Sequence, residues 1–184
     1  MVNKNSNLPL KDKQLGAEMR DSIINVLEEM DYKYELDEDG SINFFLKPES
    51  YTDEVRSIVE GVEFYIIINE ECRIITVNEG CWKQIKSDDY DEAGRLLEAI
   101  NRANSGFHVT SYISLNSETH LTEVYSSTHY PYLPDKEYLK EQLDNKISEI
   151  IFANKIINQF MEEATNEDAR QMFAEAMLRR QNPN

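Results

Sequence analysis

Basic residues are scarce in this 184-residue chain. Lys and Arg number 19 against 35 Asp and Glu, a formal charge of −16. A chain this acidic repels nucleic-acid phosphates and anionic lipid. No cluster of Lys or Arg makes a local exception, Arg179-Arg180 being too short, so nucleic acid is not an expected partner. Cysteine is nearly absent too. Cys72 and Cys81 form neither a CxxC pair nor a dense framework, which fits a reducing compartment. Met1 to Asp12 holds no apolar h-region, so no signal peptide is expected. No run approaches the roughly 18 apolar residues that a membrane span needs. These absences predict a cytoplasmic protein with no membrane partner. No internal repeat, low-complexity tract, phosphate loop or catalytic motif is present either, which favours a binding protein over an enzyme.

The order of elements is what the chain does supply. Residues 1–14 are polar and read as a disordered N-terminus. Met19, Ile23, Val26, Leu27 and Met30 recur at helical spacing and predict a helix from about Gly16 to Asp31. The period then changes. Tyr32 to Leu36 alternates, Asp37-Glu38-Asp39-Gly40 turns, and Ser41 to Leu46 continues as a second strand. Gly40 can take the positive φ that a tight hairpin demands. Pro48 ends that strand. Glu49 to Gly61 reads as irregular or one short helix, with Val55, Ile58 and Val59 facing inward.

Val62 to Ile68 is the strongest strand and is placed centrally, being apolar on both faces toward its end. Arg73 to Val77 forms another strand, extending toward Trp82. A second helix starts near Ser87-Asp88-Asp89, where acids meet the positive end of the helix dipole. Its apolar face is Ala93, Leu96, Leu97, Ile100 and Ala103, and Asn104 or Gly106 suits a left-handed cap. Phe107 to Leu115 and Thr119 to Ser127 predict a second hairpin. Asp135 caps a long helix reaching about Ala164, whose apolar face widens at Phe152, Ile156 and Phe160 beyond what a one-sided surface helix needs. A further helix is expected after Thr165-Asn166. The domain plan is therefore residues 1–14 as a tail, 15–164 as one α+β domain, and 165–184 as a helical extension. The fold class is α+β: an antiparallel sheet of five to six strands with helices packed on one face.

Candidate chemistry is thin. Aligning Gly40 with the glycine of a calcium loop puts Leu46 where a bidentate Glu is required, so a hairpin turn is the better reading. His108, His120, His129 and the two cysteines match no zinc spacing. No metal or other cofactor is predicted. Cys81 beside Trp82 lacks an electropositive setting and reads as structural. Asn101 and Asn104 close the second helix, either as hydrogen-bonding end residues or as part of a recognition site.

Three segments carry a resemblance. Leu36-Asp37-Glu38-Asp39-Gly40-Ser41-Ile42-Asn43-Phe44 looks like a first-hairpin "DxDG…F" segment, Phe64-Tyr65-Ile66-Ile67-Ile68 like a central strand, and Ala99-Ile100-Asn101-Arg102-Ala103-Asn104 like a helix-ending "INxxN". Together they resemble the YbjN-like family of bacterial sensory-transduction regulators. That resemblance implies a fold similar to the type III secretion chaperones, which dimerise and bind extended segments of clients. It carries over no catalytic residue.

The reading is thus a non-enzymatic, chaperone-like or regulatory module that binds a protein or peptide partner and forms a homodimer. Tyr65, Ile67, Phe152, Ile156 and Phe160 are the expected contact residues. The partner would lie in an apolar groove or add to a sheet edge. The alternative is a small-ligand site or enzyme pocket under the second helix, lined by Asn101, Asn104 and His108.

Overall fold

The computed structural model describes residues 10–46 and 63–163. The elements run α1 (Leu10–Glu29), β1 (Lys33–Leu36), β2 (Ile42–Phe45), β3 (Glu63–Asn69), β4 (Ile74–Lys86), α2 (Tyr90–Gly106), β5 (Thr110–Asn116), β6 (Leu121–Pro131) and α3 (Lys136–Glu163). The strands form one open antiparallel sheet in the order β1-β2-β3-β4-β6-β5, giving the expected α+β class, with three helices among the described residues. The expected short helix over Glu49 to Gly61, with Val55, Ile58 and Val59, lies outside the described residues, as does the extension over 165–184. Two compact units divide the chain: residues 1–79 with 128–147, and residues 80–127 with 148–184.

In the first unit, α1 begins at Leu10, ahead of the apolar pattern that predicted it. Met19, Ile23, Val26 and Leu27 are all buried. They lie on the side of the sheet where Ile42 and Phe44 of β2, Phe64 and Ile66 of β3, and Ile75 and Val77 of β4 are also buried. The registers Ile42↔Ile66 and Ile66↔Val77 align these side chains across three strands. Strict alternation then leaves Tyr65 half-buried and Ile67 exposed on the opposite face. Tyr32, Phe44 and Phe64 stack in series, with centroids 5.8 Å and 5.6 Å apart. At the β1–β2 turn Gly40 takes φ 89°. Asp37 and Asp39 are occupied there by hydrogen bonds from Asn43 Nδ2 and from the Ser41 amide and hydroxyl. Those carboxylates build a turn, which is why the sequence looks like half of an ion loop. The start of α3 joins α1 through Lys136 and Lys140, both paired with Glu29.

In the second unit β4 runs on to Lys86, beyond the expected end near Trp82. Trp82 and Ile85 both pack on one cluster, although strict alternation would separate them. That cluster joins Ile85 to Leu96, Ala99, Ile100 and Ala103 of α2, Val124 of β6 and Ile157 of α3. Asp89 caps α2, its carboxylate accepting the Glu92 amide at 2.9 Å. The helix ends without the expected left-handed residue: Phe107 is extended and its amide donates to the Ala103 carbonyl. The Asn104 side chain instead reaches β5.

Candidate functional site

β5 is the last strand of the sheet. It pairs with β6 on one side, and no described strand lies on the other. Its sequence, Thr110-Ser111-Tyr112-Ile113-Ser114-Leu115-Asn116, contains no charge. Edge strands ordinarily carry charge, proline or a bulge, because bare amides and carbonyls invite pairing. Here Tyr112, Ile113 and Leu115 are instead 42%, 37% and 66% exposed.

Buried side chains fix this strand in place. The Asn104 amide spans both backbone groups of Ser111, accepting from its N–H and donating to its carbonyl, each at 2.8 Å. The Ser111 and Ser126 hydroxyls meet at 2.9 Å. Ser126 donates to Asn154 Oδ1 of α3 at 3.0 Å and accepts from Trp82 Nε1 at 3.2 Å. Ser111, Ser126 and Asn154 are buried, so each hydrogen bond offsets a desolvation that would otherwise be costly. The chain from α2 through β5 and β6 to α3 ties the edge strand to both helices.

The face of β5 and β6 that carries Tyr112 and Tyr125 has different chemistry. These two rings are cross-strand partners and stack at 5.6 Å with a 17° interplanar angle. Glu123 sits beside them. It accepts from the Tyr125 hydroxyl at 2.7 Å, from Asn116 Nδ2 at 3.1 Å and from Gln84 Nε2 at 3.2 Å. The Tyr125 bond first, then Asn116, holds the Glu123 carboxyl below the usual range. The same bond raises the Tyr125 phenol to about 12. Cys81 faces this group. Partial burial first, and the Glu123 charge with it, push its thiol up, so it is a poor nucleophile. Gln84, Glu123 and Tyr125 had no motif to mark them in the sequence.

The predicted contact residues fall in both units. Tyr65 and Ile67 are on β3 in the first. Phe152, Ile156 and Phe160 are on α3 in the second. Phe152 is 51% exposed and packs edge-on against Phe107 at 5.5 Å. Ile156 is half-buried. Phe160 packs on the α2 cluster with the Arg102 guanidinium 3.9 Å above its ring. Of the alternative ligand set, Asn101 and His108 are exposed, and Asn104 is committed to Ser111. A depression near α2 lies at its N-terminal end, lined by Lys86, Ser87, Asp88, Tyr90 and His120 among others, and none of Asn101, Asn104 and His108 lines it. Among the described residues no three His, Cys, Asp or Glu side chains are placed to hold a metal ion, and no helix is long and apolar enough to cross a membrane.

No family model matches the chain, and no curated protein sequence matches it. Similar solved structures include a chain from the crystal structure of the ExsC-ExsE complex, with 14% identity over 78% of this chain and 96% of that one and a TM-score of 0.46. Another is an uncharacterised protein from Methanothermobacter thermautotrophicus, with 15% identity over 79% of this chain and 97% of that one and a TM-score of 0.47.

Proposed function

We propose that this protein is a non-enzymatic binding module of the YbjN-like kind, working in the bacterial cytoplasm, which takes an extended segment of a partner protein as an added strand on β5. The observation that carries this reading is the uncharged seven-residue edge strand with three large side chains exposed. Main-chain hydrogen bonds would supply affinity, and contact with the exposed Ile113 and Leu115 side chains would supply selectivity. The buried polar chain behind Ser111 supports it further, because a preordered edge loses less entropy on pairing. Asn104 belongs to that support rather than to a ligand pocket, since both its amide atoms are engaged.

Tyr65 and Ile67 on β3 form a separate contact surface of the first unit. Phe152 and Ile156, with the ring of Phe160, form the surface through which α3 meets a second copy. The half-exposed Phe152 ring favours this second contact, and light scattering should find a dimer mass that Phe152→Asp reduces to a monomer.

Peptides selected from a displayed random library test the strand reading. Bound peptide should slow amide exchange along β5, and Leu115→Lys should abolish capture while leaving the thermal melt unchanged. Selected peptides that protect only amides elsewhere, or that bind Leu115→Lys undiminished, would refute it.

A further inference from the structure

We infer that the segment taken by β5 alternates apolar and basic side chains, with an arginine stacked on Tyr112 and paired with Glu123. This deepens the strand-addition reading and rests on it. An added strand must present alternate residues to the two faces of the sheet. On one face its neighbours are Ile113 and Leu115, both exposed and apolar. On the other they are Tyr112 and Ser114, and one strand further in, Tyr125 and Glu123, by the register Tyr112↔Tyr125 and Ser114↔Glu123.

That second face selects a cation. Ser114 stands directly between the edge and Glu123, and its small side chain leaves the path open. Glu123 reaches toward the edge, because one of its oxygens is held by Asn116 of β5 itself. Strands are spaced about 4.8 Å apart, so the carboxylate lies within the span of an extended arginine from the added strand. The planar guanidinium suits both contacts, as it stacks on an aromatic face and forks onto a carboxylate. Three donors already hold the carboxylate ionised and oriented, yet only one of them binds Oε2. The edge strand carries no charge of its own, and the chain as a whole carries −16, so the strand itself does not repel a basic segment and the long-range field attracts it.

Two synthetic peptides of equal length, one alternating Val with Arg and the other Val with Gln, test this by fluorescence anisotropy. The Val/Arg peptide should bind about tenfold more tightly at low salt, and added salt should narrow the gap. Glu123→Gln should erase the preference while binding of the Val/Gln peptide is kept, and Tyr112→Leu should reduce it in part without the carboxylate being touched. Equal binding of both peptides, lost together in Leu115→Lys, would overturn the arginine inference and leave strand addition standing. A preference for Val/Arg that survives Glu123→Gln would also overturn it, since overall acidity would then be the cause. Binding of neither peptide would overturn both.

Discussion

β1 closes one edge of the sheet with four residues, of which Lys33 and Glu35 are charged, whereas β5 closes the other with seven and no charge. β1 does expose Leu36, but as the final residue of a short strand beside an acidic turn. Shortness and charge blunt an edge against pairing; length and neutrality leave it open. The anchoring differs as well. Behind β1 lie three stacked rings, Tyr32, Phe44 and Phe64. Behind β5 lie hydroxyls and amides that fix direction as well as distance. Apolar packing tolerates small slips, while hydrogen bonds between buried groups do not. An edge meant to receive a strand in one register benefits from the second kind of support.

The largest effect that would sharpen this contrast comes from the aromatic side. Phe44 is fully buried and touches both neighbouring rings. Phe44→Ala should cost about 3–5 kcal/mol, read as a lowered denaturation midpoint. Ser126→Ala comes next. It removes the shared partner of Ser111, Trp82 and Asn154 and should cost about 1–3 kcal/mol. Its distinctive readout is local: exchange should accelerate along β5 and not along β1, and emission from Trp82, the chain's single tryptophan, should shift to the red. If β1 and β5 loosened equally in Ser126→Ala, the two edges would share one support and the contrast would fail.

Much of the architecture was legible because periodicity reports which face of an element is apolar. The buried stripe of α1, the hairpin at Gly40 and the interior position of β3 all follow from that. Periodicity cannot report which strand of a hairpin joins the rest of the sheet. β6 pairs inward and β5 is left at the edge, yet both strands alternate. The missing charge in Thr110 to Asn116 was a visible signal, but it acquires meaning only once the strand is known to be an edge. Ser111, Ser126 and Asn154 gave no signal, because serine and asparagine are ordinary surface residues until tertiary structure buries them together. Phe160 illustrates the same gap from the apolar side. A helical stripe shows width, but the partial covering of Phe160 by the α2 cluster and Arg102 depends on contacts distant in sequence.

The smallest effect lies where α1 hands the chain to β1. Glu29 closes α1, where a negative charge meets the unfavourable end of the helix dipole. Hydrogen bonds from Lys136 first and Lys140 second outweigh its partial desolvation and lower its pKa from the ordinary 4.5 to about 2. A carboxyl whose folded pKa is depressed stabilises the fold at pH values above the unfolded pKa, and the contribution disappears as pH falls through the folded one. Here that window runs from about 4.5 down to about 2. Glu29→Gln should therefore melt slightly below the wild type at neutral pH, with the difference closing across that window. Because the pair is solvent-exposed, salt should shrink the difference as well. The same titration on Glu123→Gln bears on the other edge, where Tyr125 and Asn116 supply neutral donors to the carboxylate. Its acid-dependent loss should resist salt better than that of Glu29, since hydrogen bonds from neutral partners are screened less than ion pairs. Equal salt sensitivity at the two carboxylates would show that the β5 edge relies on charge as much as the α1 end does, and the contrast between the two supports would not hold for their acids.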